Sequence, residues 1–178
     1  MNGTALTGDT LRAQARALLE QSAVSLTPSE LQNLRVLDYG LGHPRVEGLQ
    51  NITLLVTERL EVKVQILLPG QTVPEHLHPP YDHTDGKEEN IRVVRGSLRV
   101  YLEGPDTMRE GVLPAGKGAW YTVRNERILG PGQNISILPG RYHWFQGGSQ
   151  GVVALSFYTR ADNTRNRYRD PGASFPSQ

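Results

Sequence analysis

The chain has 178 residues, with 19 Lys or Arg against 18 Asp or Glu, so its formal net charge is +1. This balance gives no electrostatic case for a nucleic acid or an anionic membrane as partner. Cysteine is absent, which excludes disulfides, thiolate catalysis and cysteine-bound metal sites. Any metal must therefore bind histidine and carboxylate side chains.

Length and hydropathy predict one compact domain without a membrane segment. No apolar run reaches the ~18 residues that a membrane-spanning helix needs. The first nine residues are polar and lack the basic-then-apolar pattern of a secretory signal. We therefore expect a cytoplasmic protein.

Residues 1–36 are predicted to form a helical arm. Strong helix formers fill residues 10–22, their apolar positions have helical spacing, and Asp9 is a candidate N-cap. A second helix is predicted to begin at Thr27, because a proline follows it and Glu30 stands where a capping box places its acid.

Residues 37–171 have the pattern of a β domain. Short apolar runs alternate with Gly, Pro, Asn and Asp, which predicts a sandwich or a barrel. Residues 172–178 are predicted to be a loose tail. The predicted strands are 52–56, 62–68, 91–102, 119–123, 135–138 and 152–158.

A metal site is predicted from three histidines and one glutamate. His76 and His78 are separated by one residue, so on a strand they point to the same face. Glu89 and His143 complete the set, and Glu89 is preferred over Glu88 for its spacing to a following glycine. Such nitrogen and oxygen ligands suit Mn, Fe, Co, Ni or Zn in an open catalytic site. The other histidines, His43 and His83, are expected outside it.

These segments resemble the two signature motifs of the cupin superfamily. Gly70-x5-His76-x-His78, Glu89-x6-Gly96 and Pro139-Gly140-x2-His143 carry the resemblance. Ten residues intervene between His78 and Glu89, more than is typical of cupins, and this insertion is similar to that of small bacterial D-lyxose isomerases. So are the stretches Asp38-Tyr39-Gly40-Leu41-Gly42, Gly86-Lys87-Glu88-Glu89, Tyr101-Leu102-Glu103-Gly104 and His143-Trp144-Phe145-Gln146.

The resemblance implies an all-β fold, a cupin double-stranded β-helix (jelly-roll barrel) with an N-terminal helical arm. It implies that one divalent ion binds His76, His78, Glu89 and His143. Mn²⁺ is the implied ion, with Co²⁺, Zn²⁺, Ni²⁺ or Fe²⁺ as alternatives. The lysine two positions before the glutamate, Lys87, would touch the substrate.

The base that moves the proton between carbons stays open. Relatives carry an acid on the last strand where this chain has Ser156. Tyr158 shares the face of Ser156, and the tail carries Asp162 and Asp170. A metal-bound hydroxide is a further candidate. Lys87 is interpreted as the proton-exchanging group, against the alternative of a solvated loop lysine.

Two more side chains are candidates for contact with the substrate. Lys63 lies amid apolar residues of a predicted strand, as either an inward site group or an edge-strand charge. Phe145 is interpreted as cavity wall, on which the apolar face of a sugar could rest. Together with Ser156 and Tyr158, these residues form the predicted substrate-binding set.

The expected activity is metal-dependent isomerisation of D-lyxose to D-xylulose, and of D-mannose to D-fructose, through a cis-enediol. A small-molecule sugar is the expected partner, and a homodimer is the expected assembly, since small barrels cover their sheet edges by pairing. Two alternatives remain at this point: a metal-dependent cupin dioxygenase and a non-catalytic sugar-binding cupin.

Overall fold

The computed structural model describes residues 8–176; residues 1–7 and 177–178, which include the start of the predicted arm and the end of the predicted tail, lie outside the described residues. The arm contains two helices, α1 (Gly8–Glu20) and α2 (Pro28–Gln32). One face of α1 is buried through Leu11, Ala15 and Leu19. Each buried leucine contributes about 1.5–3 kcal/mol of hydrophobic stabilisation. Among the described residues, no helix has the length and apolar character needed to cross a bilayer.

The start of α2 has the predicted capping box. The Thr27 side chain accepts a hydrogen bond from the backbone N–H of Glu30, and the Glu30 carboxylate accepts from the backbone N–H of Thr27 at 2.7 Å. Both amides would otherwise lack an intrahelical partner. Helix α1 begins earlier than predicted. It already includes Asp9, so Asp9 is not its N-cap.

The rest of the described chain is mainly β, as predicted. Its strands form one sheet that curls on itself, so that it has an inner and an outer face. The strands are β1 (Arg35–Leu37), β2 (Leu49–Val56), β3 (Leu60–Leu67), β4 (Thr72–Leu77), β5 (Glu89–Leu102), β6 (Asn125–Leu129), β7 (Asn134–Ile137), β8 (His143–Thr159) and β9 (Arg167–Tyr168).

Strand β8 holds the sheet together. Its second half lies between β3 and β5, while its first half lies between β4 and β5. In the sheet, β2 pairs with the other edge of β3, and β9 pairs with the other edge of β4. Antiparallel pairing places residues that face each other across strands on one side of the sheet, so β3, β4, β5 and β8 can direct side chains into a common interior.

Two apolar cores lie on opposite sides of this sheet. The inner core includes Val73, Ile91, Val93, Val100 and Phe145. The outer core joins the sheet to the arm, and its buried members are Ala15, Leu19, Leu34, Ile52, Val64, Ile66 and Val153. The arm therefore covers part of the outer face and leaves the interior of the curled sheet free for polar side chains.

One predicted strand is wrong. Residues 119–123 are not a strand, because Gly118–Trp120 forms a single 3-10 turn and the following residues are irregular. Tyr121 and Val123 are nevertheless buried, packed beside Trp144 in a third apolar cluster. Their apolar pattern reflects this packing rather than pairing in the sheet.

The segment after β9 makes defined contacts with the rest of the chain. The backbone N–H of Arg169 donates to the backbone carbonyl of Glu75 in β4, and the backbone N–H of Ser174 donates to the backbone carbonyl of Tyr39. Phe175 lines the interior cavity. The part of the predicted tail that the structure describes, residues 172–176, thus passes over the mouth of the sheet.

Candidate metal centre and active site

Three histidines, from the end of β4 and the start of β8, converge in the interior. His76 of β4 faces His143, the first residue of β8, in the register of these strands, and His78 follows immediately after β4. One ring nitrogen from each lies within 4.8 Å of the others. His78 and His143 are almost completely inaccessible to solvent. The two segments predicted to supply histidine ligands therefore meet.

Backbone carbonyls fix the orientation of each imidazole. The Nδ1 atoms of His76, His78 and His143 lie 2.8, 3.2 and 2.9 Å from the carbonyl oxygens of Pro74, Lys87 and Arg141. A carbonyl oxygen can only accept, so Nδ1 carries the proton and Nε2 keeps its lone pair. This arrangement is typical of histidines that bind metal through Nε2.

Burial keeps all three imidazoles neutral. It lowers the pKa of His76 well below 6.5, with a further contribution from His143. It also lowers the pKa of His143 to about 4. The pKa of His78 is lowered by burial first and then by the positive charge of Lys87. Neutral imidazoles are the form that binds metal ions.

The carboxylate of Glu89 lies beside this cluster. Its Oε2 is 3.8 Å from Nε2 of His78 and 3.9 Å from Nε2 of His143. Burial raises the pKa of Glu89, an effect that the charge of Lys87 partly offsets. Gln65 of β3 supports the carboxylate, with its amide nitrogen 3.5 Å from Oε1.

Lys87 is buried next to Glu89. Its Nζ donates a hydrogen bond to Oδ1 of Asn163 at 2.8 Å and lies 4.7 Å from the centre of the Tyr158 ring. Burial lowers the pKa of Lys87 to about 8. The side chain thus points inward, in contrast to the alternative interpretation of a solvated loop lysine.

A small cavity of about 40 Å³ joins most of the predicted site residues. It is lined by His76, Lys87 and Glu89 together with Lys63, Phe145 and Tyr158 of the predicted substrate-binding set. Ser156 is fully buried and pairs with Lys63 and Ile91 in the sheet, but it does not line this cavity. Lys63 therefore occupies the inward position rather than a solvated strand edge.

The candidate bases of the tail lie elsewhere. Asp162 caps a 3-10 turn through Thr164, and Asp170 is paired with Lys117. Tyr158 faces the cavity, but burial raises the pKa of its phenol well above 10, so it stays protonated. Among the described residues that line the cavity, Glu89 is the only carboxylate.

The histidines predicted to lie outside the site do so. His43 is hydrogen-bonded through Nε2 to the buried carboxylate of Glu47 at 2.7 Å, and His83 is exposed. Residues that sequence reasoning missed are Asn51, Gln65, Asn163, Asn166 and Tyr168, which also line the cavity. Gln65 could have been found from its alternation with Lys63, whereas Asn163 and Asn166 belong to an irregular tail that carries no such signal.

The residues present fit a divalent metal ion. Nε2 of His78 and Nε2 of His143 are buried and have no hydrogen-bond partner among the described residues. An unpaired buried polar atom costs ~1–3 kcal/mol, and a metal ion would satisfy both atoms at once. The three histidines could therefore hold a metal ion through their ring nitrogens, and the carboxylate of Glu89 lies beside two of them.

Known proteins with similar sequences are sugar isomerases. The D-lyxose ketol-isomerase of Cohnella laeviribosi is 39% identical over 90% of this chain and 88% of its own. The D-lyxose/D-mannose isomerase of Thermosediminibacter oceani is 37% identical over 86% of this chain and 85% of its own. The D-lyxose ketol-isomerase of a Thermofilum species is 32% identical, covering 90% and 89% of the two chains. No protein-family model matches the sequence.

Solved structures share the fold at low sequence identity. The L-ribose isomerase of Cellulomonas parahominis superposes with a TM-score of 0.77 at 17% identity, covering 97% of this chain and 96% of its own. That of Acinetobacter sp. DL28, with L-ribose bound, gives 0.75 at 16% identity, again covering 97% and 96%. The sequence relatives and the histidine cluster place the chain in the class of sugar isomerases, as predicted. Within that class, the chain belongs to the D-lyxose ketol-isomerase family.

Proposed function

We propose that this enzyme interconverts D-lyxose and D-xylulose, and also D-mannose and D-fructose, with one bound divalent metal ion. The observation that carries the proposal is the convergence of three neutral histidines and Glu89 beside Lys87, in a chain of this family. Mn²⁺ is the proposed ion because the resemblance to this family implies it; the imidazole and carboxylate ligands suit Mn, Fe, Co, Ni or Zn and do not distinguish among them.

His76, His78, Glu89 and His143 are proposed to hold the ion. When bound, a divalent ion acts as a Lewis acid on the carbonyl and hydroxyl oxygens of a substrate. The backbone carbonyls behind the imidazoles keep the rings in place.

Isomerisation moves one proton from C2 to C1 and another from O2 to O1, through a cis-enediol. We assign to Lys87 the exchange of a proton with the substrate oxygens, because its Nζ reaches the same cavity as Glu89. Asn163 holds Nζ by accepting a hydrogen bond from it. Tyr158 and Phe145 supply an aromatic wall for the apolar face of the sugar. Exclusion of water by this wall strengthens the electrostatic interactions inside.

Incubation in deuterated water tests the proposal. The Mn²⁺-loaded chain is mixed with D-lyxose, D-mannose or D-ribose, and products are identified by NMR. We expect D-xylulose from D-lyxose and D-fructose from D-mannose, each with deuterium at C1, because the carbon-bound proton passes through an exchangeable group. The chelated protein is the control and should form no product.

Two outcomes would contradict this function. Oxygen consumption with cleavage of the substrate would indicate the dioxygenase alternative. Saturable sugar binding without product, and without deuterium at C2 of the recovered aldose, would indicate a non-catalytic sugar-binding protein.

We further propose that residues 37–171 form a jelly-roll barrel of the cupin type and that residues 1–36 are an arm packed on it. The support is the curled antiparallel sheet whose outer face carries α1 and α2 through Leu19, Leu31 and Ile52. An experimental structure tests the strand connections directly.

A homodimer is also proposed, through an apolar row on the outer face of the sheet. Leu55, Val62 and Phe157 lie side by side on β2, β3 and β8, and Leu55 and Phe157 are 47% and 43% exposed. Contiguous exposed apolar side chains mark association surfaces. Light scattering should give twice the chain mass for the wild type and a monomer for Phe157→Ser. The cytoplasmic location remains a prediction from sequence, and cell fractionation would test it.

A further inference from the structure

A buried ion pair lies on the wall of the interior, on strand β3. Nζ of Lys63 is 2.9 Å from Oε1 of Glu61, and both side chains are more than nine-tenths buried. Removing two charges from water costs about as much as their mutual attraction returns, so such a pair contributes little to folding stability. Because the pair lies beside a cavity, a role in binding a ligand explains its presence better than a role in stability.

The pair lies where two cavities meet. Lys63 lines the inner cavity of about 40 Å³, which also contains Glu89. Glu61 lines an outer cavity of about 420 Å³ that opens towards solvent. Asn163 and Phe175 line both cavities and so mark the passage between them.

The inner cavity is too small for a whole sugar. Sites for small ligands usually have about 300–1,000 Å³, which the outer cavity provides and the inner cavity does not. A sugar whose reacting carbons lie near Glu89 must therefore extend its other end outward. In the sheet, Tyr158 pairs with Glu89 on one side and with Glu61 on the other. The backbones of Glu61 and Glu89 are thus two strand spacings of ~4.8 Å apart, a separation comparable with the length of an extended sugar.

The chemistry of the pair suits hydroxyl groups. The carboxylate of Glu61 can accept from a hydroxyl, and the ammonium of Lys63 can donate to one. Lys63 also lies 5.8 Å from the centre of the Tyr158 ring, on the wall proposed to contact the sugar. We propose that Glu61 and Lys63 bind the hydroxyl at the end of the sugar remote from the reacting carbons, and so set the preference between five- and six-carbon substrates. This inference rests on the proposed function.

A change of selectivity tests the inference. Glu61→Gln should reduce kcat/KM for D-mannose about tenfold or more, mainly through KM, and that for D-lyxose much less. The chain of D-lyxose is one carbon shorter, so its terminal hydroxyl group stops short of Glu61, whereas the hydroxyl on C6 of D-mannose reaches it. A purely structural role would lower both values by the same factor, and this result would overturn the inference. Asp9→Asn removes an exposed ion pair of the same 2.9 Å length on α1 and should leave both values unchanged.

A substrate analogue extends the test to the unaltered protein. The wild type should use 6-deoxy-D-mannose about tenfold less efficiently than D-mannose, because the hydroxyl that Glu61 binds is missing. In Glu61→Gln the same deletion should have little further effect. Equal use of the two sugars by the wild type would refute the inference, even if the variant failed to fold. If the wild type isomerised no sugar at all, the proposed function itself would be wrong.

Discussion

Glu75 is a buried carboxylate whose removal should destabilise the fold strongly. It accepts hydrogen bonds from the backbone N–H groups of Thr122 and Val123, from the Thr122 hydroxyl at 2.7 Å and from Nε of Arg169 at 3.2 Å. Its side chain is inaccessible to solvent. One acidic group therefore connects β4 to the irregular segment after Gly118–Trp120 and to the chain after β9.

The magnitude follows from the groups left unpaired. Glu75→Ala leaves the N–H groups of Thr122 and Val123 without their acceptor, at ~1–3 kcal/mol each. The expected loss is therefore about 2–6 kcal/mol in the free energy of unfolding, a large part of the ~5–15 kcal/mol typical of a domain. Glu75→Gln keeps an oxygen for both amides and should recover at least half of the loss.

Urea denaturation followed by tryptophan fluorescence measures these differences, since Trp144 is buried and packs against Tyr121. Glu103→Gln is the comparison, because Glu103 pairs with Arg141 in a more exposed ion pair that should contribute less than about 1 kcal/mol. A loss below 1 kcal/mol for Glu75→Ala, or equal losses for Glu75→Ala and Glu75→Gln, would refute this reasoning.

Three further predictions concern the proposed metal ion, the proposed role of Lys87 and acid stability. His78→Ala should reduce bound manganese from about one ion per chain to near zero by elemental analysis, and abolish the rise of Tm on adding Mn²⁺. Lys87→Ala should retain manganese but lose at least a hundredfold in kcat for D-lyxose; unchanged turnover would remove Lys87 from the mechanism. Burial pushes the pKa of Glu126 upward, but hydrogen bonds from the Tyr101 hydroxyl and the backbone N–H groups of residues 109–111 outweigh it, and the pKa is lowered. The ionised carboxylate of Glu126 therefore stabilises the fold above pH ~4.5, and this contribution is lost as the pH falls through the pKa of the folded state. Between pH 6 and pH 3, the free energy of unfolding should fall less for Glu126→Gln than for the wild type. Urea midpoints at each pH measure this difference.

Local patterns in the sequence predicted local structure well. The capping box of Thr27 and Glu30 depends only on groups three residues apart, and it is present. The alternation of His76 and His78 depends only on the period of a strand, and the two rings are 5.1 Å apart. Such features need no knowledge of the rest of the chain.

Features that depend on distant packing were harder to predict. The apolar run at 119–123 has the composition of a strand, yet it packs against Trp144 without joining the sheet. Asn163 becomes a cavity residue only because the chain after β8 turns back over the interior. Glu61 gave no separate signal, since its partner Lys63 could equally have been a charge on a strand edge.

The pairing of β8 has a consequence for the order of biosynthesis. This strand brings in His143 and is the shared neighbour of β3, β4 and β5, which come earlier in the chain. A nascent polypeptide therefore has two of the three imidazoles long before it has the third, and the three strands cannot close around them until the last quarter of the chain has left the ribosome. Because such non-local pairing is slow, binding of the proposed metal ion should be one of the final events in maturation. The content of this ion in a preparation should then report what fraction of the protein has folded completely.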